Sequence, residues 1–123
     1  MNYASVKSSI ANIYSNPDFR SELITQAFIF EKIKIIDKKN NWYFIKQNDN
    51  YCGWIHKFYV SSEIININTI NTKFLLRVYK TNKLINSIYT IPFSSGFNMV
   101  EKNKDFSIIM LYNADLGYIE NIQ

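Results

Sequence analysis

The sequence predicts an all-β protein made of two small barrels in tandem, and three observations support this prediction. Residues 49–55 reappear in outline as residues 113–119, so that Gly53 and Gly117 lie 64 positions apart. A repeat of this length is typical of a duplicated small domain. Isoleucine, tyrosine and phenylalanine are abundant and favour strands. Short apolar segments also recur every 8–12 residues between turn signals, which is typical of a small barrel or sandwich.

The same offset of 64 continues upstream without a gap and defines the predicted domains. It places Trp42 on Phe106 and Ile45 on Ile109. We therefore predict that the 123 residues form a first domain at 1–62 and a second at 63–123, with residues 63–72 as a connector. Units of about 60 residues need dense apolar cores. A hydrophobic content of 47% supplies them and excludes a disordered chain.

Turn and strand signals in the first copy are distinct. Asn16, Pro17 and Asp18 predict a turn. Strands are predicted at 28–37, 42–46 and 51–56, with polar turns at 38–41 and 47–50. A helix over residues 21–30 remains an alternative, because Leu23, Ala27 and Phe30 have helical spacing.

In the second copy, strands are predicted at 73–79, 85–91, 97–101, 106–111 and 116–120, and Pro92 ends the second of them. Gly53 lies inside a predicted strand, where glycine usually marks a bulge or a close approach of another segment. We predict that the Trp42 ring lies across Gly53, and that Phe106 and Gly117 repeat this arrangement.

The charge pattern argues against nucleic acid and membrane as partners. The net charge is +4 with a pI of about 9.1, and no block of five like charges occurs. A small barrel that stacks bases on exposed rings remains an alternative, which a steep loss of affinity with salt would support. Residues 1–7 lack the apolar core of a secretory signal, and no apolar run approaches the ~20 residues that span a bilayer. We expect a cytoplasmic location, leaving open a leader that has been removed.

No catalytic, metal or cofactor site is predicted within the chain. Cys52 is the single cysteine, which excludes an internal disulfide and a cysteine-based zinc site. His56 lies four residues further on, and in an extended strand this spacing separates the two side chains by about 13 Å. A cysteine nucleophile needs a closer base. The three glycines form no phosphate-binding loop.

A wider pattern extends over the first copy. It begins with residues 13–26, which contain the Asn-Pro-Asp turn and a Ser-Glu-Leu-Ile-Thr-Gln stretch, and it continues with Glu31, Trp42 and residues 51–55. This pattern resembles a bacterial SH3 domain, most closely the first such domain of cell-wall cysteine peptidases of the NlpC type. The second half is similar to the second domain of the same tandem arrangement, through residues 92–96 and 117–119. Phe30 stands where the family usually has glycine, so we expect a less tight loop there.

The resemblance implies a non-catalytic recognition region. In that family a peptidase domain follows the SH3-like pair, carries the reactive cysteine and histidine, and cleaves after D-glutamate in peptidoglycan peptides. The chain is therefore expected to be the N-terminal part of such an enzyme or a free-standing relative. Its expected partners are a peptidoglycan-derived peptide or a peptidase domain, and its oligomeric state is not predicted.

Five residues are predicted to bind the ligand. In the resembled family the first domain faces the peptidase cleft, and rings with polar tips suit peptide contacts. Trp42 is assigned mainly to the core. As an alternative function, the chain is a stand-alone module for protein–protein interaction, which a broad, flat apolar face on one barrel would indicate. The predicted ligand-binding residues are Tyr14, Asp18, Arg20, Tyr51 and Trp54.

Overall fold

Antiparallel strands make up most of the chain, so the all-β prediction is confirmed. The structure, a computed structural model, describes residues 2–121. It divides into two compact units, one ending at Ile64 and one beginning at Ile65. The predicted connector 63–72 therefore contributes most of its residues to the second unit.

The first unit is a seven-stranded sheet in the order β3-β2-β6-β5-β4-β1-β7. Its core consists of small and β-branched residues such as Ile13, Ile33, Ile45 and Ile55. Alternation along each strand sends these side chains inward and their neighbours outward. The strands are β1 Asn2–Val6, β2 Ile10–Tyr14, β3 Leu23–Phe28, β4 Lys32–Lys39, β5 Trp42–Lys46, β6 Cys52–His56 and β7 Val60–Ser61, with a 3-10 turn at Lys57–Tyr59.

The second unit combines a five-stranded sheet, β10-β9-β14-β13-β12, with a two-stranded ribbon of β11 and β8. Leu76, Val78, Ile91, Phe97 and Ile109 are among its buried residues. The strands are β8 Thr69–Ile70, β9 Leu75–Tyr79, β10 Ser87–Pro92, β11 Gly96–Phe97, β12 Met99–Lys102, β13 Ser107–Met110 and β14 Leu116–Ile119, with a 3-10 turn at Tyr112–Ala114.

Asn71, within the predicted connector, is fully buried in the second unit. Its side-chain amide donates to the carbonyl oxygens of Ile91 (2.8 Å) and Pro92 (3.0 Å), and its oxygen accepts from the backbone N–H of Lys73 (2.9 Å). Because a buried polar group needs such partners, Asn71 fixes this segment against the end of β10. The sequence shows only a polar residue without a turn signal, which is why it was assigned to a connector.

The predicted strand 28–37 is interrupted by a turn at Phe30, the position where a loop less tight than in the family is predicted. Phe30 has φ 71°, and the N–H of Glu31 bonds to the carbonyl of Phe28 at 3.0 Å. The N–H of Phe30 also bonds to the carbonyl of Val6 at 2.8 Å. Phe30 thus adopts the left-handed conformation that glycine usually takes, at a cost of about 1–3 kcal/mol, and burial of its ring offsets that cost. The helix alternative is also wrong, since Leu23–Phe28 is a strand paired with β2.

The predicted contact between Trp42 and Gly53 is wrong. Gly53 pairs with Ile45, whereas Trp42 pairs with His56 three residues further along. A Cβ at Gly53 would lie 2.5 Å from Ile13 Cγ2 and 2.9 Å from the carbonyl oxygen of Tyr14. The close approach is therefore made by the neighbouring strand β2, which pairs with β6, and not by an aromatic ring.

The corresponding contact between Phe106 and Gly117 is also wrong. Gly117 pairs with Ile109, and a Cβ there would lie 2.7 Å from Val78 Cγ1. Val78 belongs to β9, so a neighbouring strand again makes the close approach. Both glycines pair with an isoleucine eight residues upstream, so the two hairpins share one register at the offset of 64.

Candidate functional site

Polar and aromatic side chains cover the outer face of the first sheet, defined here as the side opposite its core. Direct cross-strand partners point to the same side of a sheet. One row across the strands therefore joins Tyr14, Trp54 and Phe44, and the next joins His56 and Trp42. The cross-strand partners Ile45 and Gly53 are adjacent in sequence to Phe44 and Trp54, and they point to the opposite side of the sheet, toward the core. These five ring residues lie on one surface because of the pairing register.

The loop between β2 and β3 folds over this face through Phe19. The Phe19 ring lies 4.7 Å from the Trp42 ring and 5.9 Å, edge to face, from the Tyr14 ring. Tyr14 and Trp42 are 6.0 Å apart, also edge to face. Such pairs contribute about 0.5–1.5 kcal/mol beyond simple burial. Trp42 is only 9% exposed although it points away from the core, because these rings cover it. We call Tyr14, Phe19, Phe44, Trp42, Trp54 and His56 the aromatic patch.

Hydrogen bonds within the loop hold Phe19 in place. Asp18 Oδ1 accepts from the N–H of Arg20 at 2.9 Å. The Ser21 hydroxyl lies 2.7 Å from the carbonyl oxygen of Asp18 and 3.0 Å from that of Asn16. These bonds are the local pattern expected of Asn, Asp and Ser in turns. The Asn-Pro-Asp signal therefore produces a preorganised loop that positions a ring over the sheet.

His56 packs between aromatic rings, and one of its two ring nitrogens accepts a hydrogen bond from the backbone. Its ring stacks on Phe19 at 5.3 Å and meets Trp42 edge to face at 5.1 Å. Its Nδ1 accepts from the N–H of Phe58 at 3.1 Å and so caps the 3-10 turn. In a neutral imidazole with Nδ1 as acceptor, Nε2 carries the proton. The Nε2–H is the polar group that His56 can offer to a ligand.

A cleft of about 230 Å³ opens beside Trp42 and His56. One wall is Pro17 of the preorganised loop. The opposite wall is the turn between β4 and β5, in which Asn40 has φ 55° and the Asn41 carbonyl accepts from the Lys57 N–H at 2.8 Å. The cleft combines apolar rings with amide and ammonium groups, as small-ligand sites do. Its lining residues are Pro17, Lys39, Asn40, Asn41, Trp42 and His56.

The structure brings together four of the five predicted ligand-binding residues. Tyr14 and Trp54 are direct cross-strand partners. Asp18 and Arg20 flank Phe19 in the loop above them, and both are exposed. Tyr51 is also exposed. It directly precedes β6, and the alternation along that strand puts it on the same side as Gly53 and Ile55, which face the core. Within residues 2–121 its ring forms no aromatic pair, so it lies apart from the patch.

Phe19, His56 and Lys39 were missed by sequence reasoning. The period-two spacing of Trp54 and His56 was available as a signal, because residues i and i+2 of a strand share a face. Phe19 carries no such signal, since its position depends on how a loop folds over the sheet. The assignment of Trp42 to the core correctly predicts its burial, and the side chains that bury it are the rings of the aromatic patch.

Hydrogen bonds made by Gln47 and Glu31 support the turn at Phe30. Gln47, 5% exposed, donates to the carbonyl of Gln26 at 3.1 Å and to Glu31 at 2.7 Å. The other Glu31 oxygen accepts from the Phe28 N–H at 3.2 Å. Burial raises the pKa of Glu31 above 4.5, against the lowering effect of these hydrogen bonds. Because both groups are committed to the turn, we assign them a structural role.

Cys52 and His56 lie at opposite ends of β6. Cys52 is exposed and pairs with Lys46, while His56 pairs with Trp42 at the far end of the same strand. No cluster of three potential metal ligands occurs within residues 2–121. The same residues contain no helix with the length and apolar character needed to span a membrane.

Comparisons with known proteins agree with this geometry. Residues 13–57 match the family described as the bacterial dipeptidyl-peptidase SH3 domain. The fold is similar to the crystal structure of an NlpC/P60 family protein from Bacillus cereus ATCC 10987, with a TM-score of 0.73 and 13% identity. That alignment covers 98% of this chain and 54% of the other, so the chain spans about half the length of that protein. No curated protein sequence matches. The predicted resemblance to bacterial SH3 domains of the NlpC type is confirmed.

Proposed function

We propose that the chain is a non-catalytic recognition region that binds a peptidoglycan-derived peptide, as the N-terminal part of an NlpC-type γ-D-glutamyl endopeptidase. The aromatic patch carries the proposal. Preorganised rings bind a ligand without a large ordering cost, and the adjacent cleft offers hydrogen-bonding groups to a short peptide. The match at residues 13–57 spans both the loop and the hairpin that build the patch.

The proposal assigns the peptide contact to the first unit and an origin by duplication to the second. The first unit contacts the peptide through Tyr14, Trp54 and the loop that carries Asp18 and Arg20. The second unit arose by duplication of the first, which the shared hairpin register supports. The proposed location is the cytoplasm, where such a protein would act on recycled wall fragments. Fractionation of cells that express the chain at its natural level tests this location.

Titration of the isotope-labelled chain with the dipeptide L-Ala-γ-D-Glu tests the peptide site by NMR. We expect saturable shifts of both tryptophan indole N–H signals and of the amides around Phe19. A Trp54→Ala variant should weaken binding, and Phe74→Ala in the second unit serves as its control. Shifts confined to residues outside the first unit, or no saturable shift, would contradict the proposed function.

A second candidate function is supported by the surface of the second unit. Phe74 is 92% exposed and Phe93 is 60% exposed, and they adjoin the paired residues Leu75 and Pro92 at one end of a hairpin. Exposed apolar groups of this size often mark protein interfaces. The partner we propose for them is a peptidase domain. Loss of binding to an added NlpC/P60-type catalytic domain in a Phe74→Ser/Phe93→Ser variant would support this function, and unchanged binding would contradict it.

A further inference from the structure

Two lysines face each other on the outer face of the first sheet without an acidic partner. Lys34 of β4 and Lys46 of β5 are direct cross-strand partners. Such partners have Cβ atoms about 4.5–5.5 Å apart, and like charges at this distance destabilise a sheet. Lys34 is moreover half-buried as a residue. The pair therefore costs stability in the isolated chain.

The next row of the same face carries Asp37, which pairs with Phe44, but no ion pair within the described residues joins it to either lysine. The row of the two lysines continues to Tyr3 on one side and Cys52 on the other, and both are uncharged partners in the ladder. Within residues 2–121, neither Lys34 nor Lys46 forms an ion pair with a carboxylate. Lys32, two residues before Lys34, adds a third positive charge and lies 4.4 Å from the centre of the Tyr3 ring. The row therefore carries positive charge that no ion pair neutralises.

The lysine row borders the aromatic patch. Lys46 follows Phe44 by two residues on β5, and Cys52 precedes Trp54 by two on β6. Residues spaced by two share a face and lie about 7 Å apart. A short ligand that packs on the Phe44 and Trp54 rings, which are 5.3 Å apart, can therefore place one end between the two ammonium groups.

We propose that Lys34 and Lys46 bind a carboxylate of the peptide ligand, whose body packs on Phe44 and Trp54. This inference rests on the proposed function and names the charged group that the site selects. In a γ-linked D-glutamyl peptide the α-carboxylate is free, and its two oxygens accept hydrogen bonds from the two ammonium groups. Charge-assisted hydrogen bonds of this kind are stronger than neutral ones.

The test compares L-Ala-D-Glu whose γ-carboxyl is capped as an amide, as it is in a γ-linked peptide, with the same dipeptide amidated at both carboxyls, so that only the α-carboxylate differs. The wild-type chain should bind the carboxylate form about fivefold to tenfold more tightly. Lys34→Ala and Lys46→Ala should remove most of this preference. Lys38→Ala is the matched control, because Lys38 lies on the same strand but pairs with the core-side residue Tyr43, and it should keep the preference.

A charge reversal separates binding from folding. Lys46→Glu places a carboxylate opposite Lys34, so the thermal midpoint should stay equal to or above that of the wild type while the preference for the carboxylate disappears. A preference that survives in Lys46→Glu, or that is lost equally in Lys38→Ala, would overturn the inference.

The inference and the proposed function fail in different ways. Equal affinity of the wild type for both dipeptides, with normal shifts at Trp54, would overturn the lysine site alone. Absence of shifts with either dipeptide would overturn both. Competition by inorganic phosphate as strong as that by acetate would show a general anion site and would also overturn the selection of a carboxylate.

Discussion

The two units share a backbone framework but differ in the side chains that it displays. The turn hydrogen bond from Glu31 to Phe28 recurs from Ser95 to Pro92 at the offset of 64. Phe30 and Ser94, at the same offset, both have left-handed φ values, of 71° and 67°. The aromatic patch has no counterpart, since the corresponding ring Phe106 pairs only with Tyr118, at 5.6 Å, among the described aromatic rings. The framework serves folding in both units, whereas the outer face of the first unit carries the candidate site.

The largest expected difference between the units concerns Trp42 and Phe106. Trp42→Ala should lower the free energy of unfolding of the first unit by about 3–5 kcal/mol, because it removes a buried ring. Phe106→Ala should cost the second unit only about 1–2 kcal/mol, since this ring is half-buried. Urea denaturation checks both values. Fluorescence of the remaining Trp54 reports on the first unit, and hydrogen exchange of the Val78 amide reports on the second. Equal losses would contradict the proposed difference between the rings.

Glycine at the two left-handed positions should have unequal effects. Phe30→Gly removes a fully buried ring and should destabilise the first unit by about 2–4 kcal/mol, after relief of the backbone strain. Ser94→Gly removes only an exposed hydroxymethyl group and relieves the same kind of backbone strain, so it should raise stability by about 1 kcal/mol. Thermal denaturation of the two variants measures the contrast. A stabilised Phe30→Gly protein would show that strain outweighs burial at this turn.

Alanine substitutions at the two strand glycines should also destabilise the two units by different amounts. At Gly53 a new Cβ meets the backbone oxygen of Tyr14 at 2.9 Å, and the backbone cannot easily move, so we expect a loss of about 2–3 kcal/mol. At Gly117 it meets only side-chain atoms of Val78 and Leu111, the nearest at 2.7 Å, so we expect a loss of about 1 kcal/mol. Urea midpoints for the two variants test this order. A larger loss at Gly117 would reverse it.

The smallest expected effect is a pH dependence confined to the first unit. Burial raises the pKa of Glu31 above its unfolded value of 4.5, so the folded state holds this proton more tightly. Stability from this group should therefore fall as the pH rises from about 4.5 through the raised pKa, and then level off. Ser95 occupies the equivalent position and cannot contribute.

Glu31→Gln should remove this component of the pH dependence. The free energy of unfolding of the wild type minus that of the variant should fall between pH 4.5 and pH 7, as measured by urea denaturation at several pH values. The Glu22→Gln variant, which changes an exposed carboxylate, provides the control. A difference that rises with pH over this range would show that the hydrogen bonds outweigh burial.

The fold class, the hairpin of β5 and β6, and the offset that relates the two halves could all be predicted from the amino-acid sequence. These features depend on local patterns, namely alternation within strands, turn residues and a repeated glycine. Local patterns also located the loop from Asn16 to Asp18, because its hydrogen bonds join residues close in sequence.

The contacts between side chains could not be predicted in this way, because they depend on how distant segments fold together. The turn at Phe30 depends on a bond to Val6, the fit at Gly53 depends on the neighbouring strand β2, and the stacking of Phe19 on His56 depends on how a loop folds back. Each contact joins residues far apart in the chain, and cross-strand register fixes their geometry. Local patterns along one sequence do not show which strands pair or in which register.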